Sequence, residues 1–377
     1  MDRNRPGRID AMAQTANPAL HVLLAGGGTG GHIFPALAVG EELVARGWRV
    51  SFAGSEMGLE AQIVPQHGVP FHALPARPLV GKGPLAKVQS LTTLGRSAFA
   101  AARLLRRTGV DVVLGTGGYA SAPAVAGARL AGRPILLLEP NARAGVANRW
   151  LSGWANGAVL GWREAEADLK CPTWVTGVPV RAAFFDVSAE LPPADPLRLL
   201  VLGGSQGAQQ INQAMPEAAR RLAERLPGLR ILHQAGARNL ESARQAWIDA
   251  GFPADRVEVI PFLDDVAGAM ARSHLLVSRA GAITLAEICA AGRASLLVPL
   301  SIAQGHQVEN ARALADAGAA EMIPSAELTP ERLAERLLAL LEDLPLLAQM
   351  GRAARGLANP RAVAAIADHL EELGGIR

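Results

Sequence analysis

An apolar run that ends in a cluster of glycines and passes into a helix occurs twice in this chain, and that recurrence limits the folds open to it. His21 to Ala25 (HVLLA) leads into Gly26-Gly27-Gly28-Thr29-Gly30-Gly31-His32, and Arg198 to Leu202 (RLLVL) leads into Gly203-Gly204-Ser205-Gln206-Gly207-Ala208. Short, fully apolar strands suit parallel sheets covered on both faces by helices. Further strands are expected at Arg49–Ala53, Val110–Leu114, Ile135–Leu138 and Ala158–Leu160. In the second half they fall at Arg230–His233, Val257–Ile260, Leu275–Val277 and Ala294–Val298, with helices from about Pro35 to Arg46 and from Ile211. The alternation predicts an α/β protein of two Rossmann-like, doubly wound domains.

A length of 377 residues exceeds what one core usually serves, which agrees with two domains. The expected division is a flexible tail over 1–18, a first domain over 19–178, a linker over 179–196, a second domain over 197–358 and a terminal helix over 359–377. The linker rests on the Pro- and Asp-dense stretch Leu191 to Pro196, and the terminal helix is expected to pack back toward the first domain. Two distant cysteines, Cys171 and Cys289, make neither a disulfide framework nor a zinc site. The basic N-terminus is broken by Asp2 and Asp10 and lacks a long apolar core, so it does not read as a signal peptide. The uncharged stretch Val112 to Ala128 is too rich in small residues, and contains Pro123, to read as a spanning helix.

Glycine turns before helices let a phosphate or sugar come close to backbone N–H groups at the positive end of the helix dipole. The first turn also fits G-x-G-x-x-G. A dinucleotide site, however, needs an acid at the end of the second strand, and here Gly54-Ser55 follows, with Glu56 late. There is no Walker A sequence, since Gly81-Lys82 is followed by Gly83, and no two Asp residues stand two apart as in metal-dependent sugar transferases. Neither a metal nor another cofactor is therefore expected. In Ser278 to Glu287 (SRAGAITLAE), a small-residue turn opens a helix that carries Glu287. That carboxylate suits the two hydroxyls of a ribose, and equally it could merely complement the helix dipole. His306-Gln307 offers imidazole and amide groups to sugar hydroxyls, or a plain solvated helix start.

Taken together, GGGTGGH at 26–32, GTGGYASAP at 115–123, GVPVR at 177–181, GGSQGA at 203–208 and RAGAITLAE at 279–287 resemble one family in order and spacing. It is the undecaprenyldiphospho-muramoylpentapeptide β-N-acetylglucosaminyltransferases, and the likeness runs from His21 to about Ile366. The resemblance implies a two-Rossmann (GT-B) glycosyltransferase with its active site in the inter-domain cleft. It would transfer N-acetylglucosamine from UDP-N-acetylglucosamine to a lipid-linked muramoylpentapeptide. It further implies a donor site of Thr29, Gly30, Gly31, Asn141, Arg181, Ser205, Leu263, Ala282, Ile283, Thr284, Leu285, Ala286, Glu287 and Gln307. His32 and Tyr119 would face the acceptor. The chain departs from the family at Leu138 and Pro140, where relatives often carry His and Gln, and at Gln304-Gly305, where many have an acid.

Inverting transfer needs a base for the acceptor hydroxyl, and His32 is the first candidate, with Glu139 second. Helix N-termini and Arg181 are expected to neutralise the leaving diphosphate. Between Ala61 and Val110 no acid occurs, while Arg77, Lys82, Lys87, Arg96, Arg103, Arg106 and Arg107 interleave with apolar residues such as Leu79, Val80, Leu85, Val88, Leu91 and Phe99. Residues 77–107 are thus expected to adsorb to an anionic membrane surface, at the cytoplasmic face and without spanning it. A core helix with a basic edge is the alternative. Nucleic acid is not expected, because aromatics are scarce and no nucleic-acid motif occurs. Two other functions remain open from sequence: a related transferase with another acceptor, and a non-catalytic nucleotide-sugar sensor.

Overall fold

The computed structural model describes residues 20–76, 84–204, 207–300 and 306–375, and for residues 84–91 the backbone course alone. The chain divides into two compact units, one of residues 1–179 with 361–377 and one of Val180–Pro360.

In the first unit, β1 (His21–Ala25) runs into α1 (Gly30–Ala45), β2 (Arg49–Ser55), α2 (Glu60–Gln66) and β3 (Phe71–Leu74). Then come α3 (Pro84–Thr108), β4 (Val112–Gly115), α4 (Ala122–Ala131), β5 (Ile135–Glu139), α5 (Val146–Leu151), β6 (Gly157–Leu160) and β7 (Thr173–Val175). All seven strands are parallel, in the order β3-β2-β1-β4-β5-β6-β7. The order reverses between β1 and β4, and the loops leaving their carboxyl ends diverge there to form a crevice. One apolar cluster fills the face that α1 covers, around Leu24, Ile33, Phe52 and Leu114; another, around Leu105, Val113 and Val125, fills the opposite face.

The second unit begins with α6 (Ala182–Phe185), then β8 (Arg198–Leu202), α7 (Gln209–Leu222), β9 (Arg230–Gln234), α8 (Leu240–Ala250) and β10 (Val257–Ile260). It continues through α9 (Val266–Ala271), β11 (Leu275–Ser278), α10 (Ala282–Ala291), β12 (Ala294–Leu297), α11 (His306–Asp316), β13 (Ala320–Met322), α12 (Pro330–Leu341) and α13 (Leu344–Leu357). Its parallel sheet has the order β10-β9-β8-β11-β12-β13, reversing between β8 and β11. Behind the second glycine turn, the Trp247 indole N–H donates to His233 Nδ1 (3.0 Å), so His233 Nε2–H donates to Asn212 Oδ1 (3.0 Å). Burial pushes that imidazole down to about 4, and it stays neutral.

Residues 180–196, expected as a linker, belong to the second unit. Phe184 is fully buried, and the Arg355 guanidinium donates to the carbonyls of Phe185 and Val187 while also reaching Ala290. Buried Arg293 donates to the Ser188 carbonyl (2.9 Å) and to Met270 and Ala271 at the end of α9. After Pro360 the chain re-enters the first unit as α14 (Ala362–Gly374), which packs on α1. There Arg46 pairs with Asp368 at 2.7 Å and donates to the Ala364 carbonyl. No helix among the described residues is long and apolar enough to cross a membrane.

Helix α1 starts at Gly30 rather than near Pro35, which sits inside it. Pro35 lacks only the N–H that would have met the Gly31 carbonyl, one turn from the helix start.

The helices α3 and α4 cross closely because Gly127 presents no side chain: a Cβ there would lie 2.8 Å from the Ala102 amide nitrogen and 2.9 Å from the Ala98 carbonyl. Gly127→Ala must therefore push the helices apart, at a cost of roughly 1–3 kcal/mol. Thermal unfolding should show a clearly lowered midpoint; an unchanged one would mean the crossing is softer than this packing implies.

Candidate active site

In the first unit the site grows from the β1 and β4 loops. Gly117 and Gly118, both in the left-handed region (φ 91° and 74°), wrap the His32 ring so tightly that a Cβ would meet its carbons at 3.2 and 3.1 Å. His32 Nδ1–H donates to the Thr116 carbonyl (2.8 Å), and the Thr116 hydroxyl donates back to the His32 carbonyl (2.7 Å). A carbonyl only accepts, so the proton sits on Nδ1 and Nε2 keeps its lone pair. Burial pushes the imidazole below its usual range, while the Thr116 bond and the Glu139 and Glu60 carboxylates pull it up. It is therefore neutral at pH 7, as a base must be.

Thr29 is the N-cap of α1, yet its hydroxyl makes no capping bond and is exposed, so Gly30 and Gly31 open the helix without a side-chain cap. Tyr119 packs beside Gly28, where a Cβ would touch its ring at 3.0 Å. Glu139 ends β5 fully buried, with four bonds to one carboxylate. Oε1 accepts from Asn141 N (3.0 Å) and Asn141 Nδ2 (2.8 Å), and Oε2 from Gly145 N (2.8 Å) and Asn148 Nδ2 (2.9 Å). Such a carboxylate holds a loop more readily than it takes a substrate proton. Leu138 is wholly in the core and offers only its carbonyl, which Asn148 uses.

In the second unit, β8 and β11 are neighbours, so the Gly203 turn and the Arg279-Ala280-Gly281 turn leave the sheet side by side. Gln234 clamps the first: its Oε1 accepts from Gly204 N (2.9 Å) and its Nε2 donates to Gly204 O (3.0 Å). Arg279 links the turns, donating to Gln210 Oε1 at the start of α7 (3.0 Å) and to the Val298 carbonyl (3.0 Å). Ala282, Ile283 and Thr284 form the first turn of α10, whose N–H groups have no helical acceptor. Ala282 and Leu285 face inward, so these two offer a ligand backbone only; Ile283, Thr284 and Ala286 are half-buried. Glu287, 16% exposed, lies 3.6 Å from Arg181, which stacks on Phe184. Burial pushes the Glu287 carboxyl up to about 7, against the pull of Arg181. Gln307 Oε1 accepts from Leu300 N (3.0 Å), Asn310 donates to the Ala280 carbonyl, and Leu263 is half-buried just past β10. Ser205 and the Gln304-Gly305 pair lie outside the described residues.

Sequence reasoning missed Gln234, Arg279 and Glu60. Arg279 stood inside a quoted motif, whereas Gln234 and Glu60 act on backbone and carry no spacing signal of their own.

The glycosyltransferase family 28 N-terminal domain matches residues 22–160 and the C-terminal domain of that family matches 198–370. A UDP-N-acetylglucosamine–N-acetylmuramyl-(pentapeptide) pyrophosphoryl-undecaprenol N-acetylglucosamine transferase of Syntrophotalea carbinolica is 44% identical over 90% of this chain and 94% of its own length. The Aromatoleum aromaticum protein of the same name is also 44% identical, over 94% of this chain and 98% of its own length. Among solved structures, Acinetobacter baumannii MurG is 33% identical with a TM-score of 0.78, over 94% of this chain and 99% of that one. The glycotransferase of kitacinnamycin, at 20% identity and a TM-score of 0.63, shares the fold. With both domain models matched in order along most of its length, this chain belongs to glycosyltransferase family 28, the family of these N-acetylglucosamine transferases.

Proposed function

We propose that this enzyme transfers N-acetylglucosamine from UDP-N-acetylglucosamine to the C4 hydroxyl of the muramoyl sugar of undecaprenyl-diphospho-muramoylpentapeptide (lipid I), giving lipid II. Relatives that carry this name over nearly the whole chain support the reaction. They favour neither another acceptor nor a non-catalytic sensor. The geometric observation that carries the mechanism is the His32–Thr116 pairing, which offers a neutral imidazole with a free Nε2 lone pair. In one displacement the acceptor O4–C1 bond forms, the bond from C1 to the β-phosphate oxygen breaks, and its electron pair leaves with UDP. His32 Nε2 takes the O4 proton, and the anomeric carbon inverts.

The residues divide by task. Glu287 holds the ribose hydroxyls, Leu263 borders the uracil, and Ser205 with the first turn of α10 meets the diphosphate through backbone N–H groups. Arg181 adds positive charge there, and Gln307, Thr29, Gly30, Gly31 and Asn141 meet the sugar. Tyr119 borders the acceptor. Glu139 is a positioning residue that holds Asn141 and Gly145 in place.

Peripheral attachment to an anionic membrane at the cytoplasmic face fits the first unit. Exposed Phe99, Arg103, Arg106 and Arg107 on α3, with Leu130 on α4, line a shallow hollow of about 490 Å³. Basic groups around an apolar floor suit phospholipid head groups above acyl chains. Arg77, Leu79, Val80 and Lys82 lie outside the described residues, as do the side chains of Leu85, Lys87, Val88 and Leu91.

Three outcomes test this reading. His32→Ala should lose about 10²- to 10⁴-fold in turnover of UDP-N-acetylglucosamine with a lipid-linked muramoyl acceptor, while UDP affinity holds; full turnover would remove His32 as base. Uridine, which has no phosphate to titrate, should bind about tenfold more weakly at pH 6 than at pH 8. The ribose hydroxyls donate to ionised Glu287, which is lost as pH falls through about 7. Calorimetry should also show proton release on binding, and a flat pH profile, or one unchanged in Glu287→Gln, contradicts the assignment. Replacing Arg103, Arg106 and Arg107 together by Gln should cost about 3 kcal/mol, on the order of a hundredfold, in binding to anionic vesicles. Undiminished binding would move the membrane face elsewhere.

A further inference from the structure

A second acid after β2, beyond exposed Glu56, is spent inside the protein. Glu60, the first residue of α2, is fully buried, and no Lys or Arg pairs with it among the described residues. Its Oε2 accepts from Gly28 N (2.9 Å) in the first glycine turn, and its Oε1 from Ser55 N (2.8 Å) at the end of β2. Three glycines from separate stretches, Gly27, Gly54 and Gly58, surround the side chain, and a Cβ on any of them would fall far inside contact with its atoms. Burying an unpaired carboxylate is costly unless its hydrogen bonds are supplied.

We propose that Glu60 is a positioning residue of the reaction: its carboxylate fixes the Gly26–Gly28 turn, and through it the Thr29–His32 segment, while its charge supports proton uptake by the His32 imidazole. The route is short, because Gly28 is two residues from the start of α1 and His32 lies in the first turn. The charged groups facing His32 are Glu60 from α2 and Glu139 from β5; from the loop after β4 come the neutral Thr116 carbonyl and the Gly117-Gly118 backbone. Glu139 exerts the larger pull on His32 and is bonded to its own loop, whereas Glu60 is the charge bonded to the turn that leads into α1. It stands past the end of β2, beyond the strand end where a dinucleotide-binding domain puts the acid for a ribose. Turned onto backbone N–H groups, it is not available for that purpose.

This inference rests on the reading of His32 as base, and the test separates the two. Glu60→Gln keeps the shape, removes the charge and turns an amide N–H₂ toward one of the two backbone N–H donors. In the full chain it should cut kcat about tenfold or more with little change in the KM for UDP-N-acetylglucosamine. The His32 pKa, followed by NMR of the imidazole, should move to lower pH, and the acid limb of the pH–rate profile should move with it. Glu60→Asp, which keeps the charge, should restore the pKa in part. Gly58→Ala gives an independent arm. Gly58 lies in the half-exposed turn before α2 outside the left-handed region, and the atoms nearest to a Cβ there are those of the Glu60 carboxylate. It should lower kcat in the same manner, and the double variant should lose no more than the worse single one. If Glu60→Gln fails to fold, Gly58→Ala carries the decision. A folded variant with wild-type kcat and an unmoved His32 pKa overturns the proposal. A moved pKa with an unmoved rate profile supports the Glu60–His32 coupling and overturns His32 as base.

Discussion

The reciprocal pair between Thr116 and His32 is the contact on which the first unit's chemistry depends. One residue at the end of β4 takes the imidazole proton with its carbonyl and gives its hydroxyl to the histidine's own carbonyl. The exchange stitches the β4 loop to α1 where the strand order reverses, and it selects the tautomer. The ring itself has the one bond to the Thr116 carbonyl, and by that alone it could still rotate. Here the ring is also walled by Gly117 and Gly118, so rotation would drive it into backbone. Orientation and protonation state are set by the same atoms.

Glu287 and Arg181 pose a different problem in the second unit. Their separation of 3.6 Å, with Arg181 43% exposed, is too loose and too wet for a strong ion pair. The carboxyl is consequently left near neutrality by burial. A group in that condition responds strongly to new donors, and under the proposed function two ribose hydroxyls would supply what the distant guanidinium does not.

The sheet cores were legible in sequence because central parallel strands are buried on both faces, and runs such as HVLLA, ILLLE and RLLVL are apolar but for one terminal residue. The strands not expected, β3 (FHAL), β7 (TWV) and β13 (AEM), are the short outer strands of their sheets, half exposed and without such a run. The expected linker was misjudged for a related reason. Its Pro and Asp residues mark an irregular path, but Arg293 and Arg355, distant in sequence, fasten that path by its carbonyls. Backbone acceptors leave no trace in composition. On the candidate site, His32, Glu139 and Glu287 were visible as chemical groups in motifs, and their differing readiness to act was not. Glu139 differs from a free base only through four donors that its own loop folds around it.

The two strand–turn–helix segments that looked alike in sequence differ in what sits beneath them. The N–H of Gly28 is capped by the Glu60 carboxylate, and the N–H of Gly204 by the neutral amide of Gln234. Both caps hold a glycine turn in a shape that admits close approach, but their fields are opposed in effect. A carboxylate under the first turn offsets the positive end of α1, which disfavours a second anion and favours a basic imidazole. A neutral cap leaves the positive ends of α7 and α10 uncompensated, with Arg279 spanning the two turns. This contrast supports the proposed placement of the diphosphate against the second turn and of the base for the acceptor hydroxyl against the first. Both proposed assignments draw on which side chain closes each loop, a distinction the glycine motifs alone do not contain.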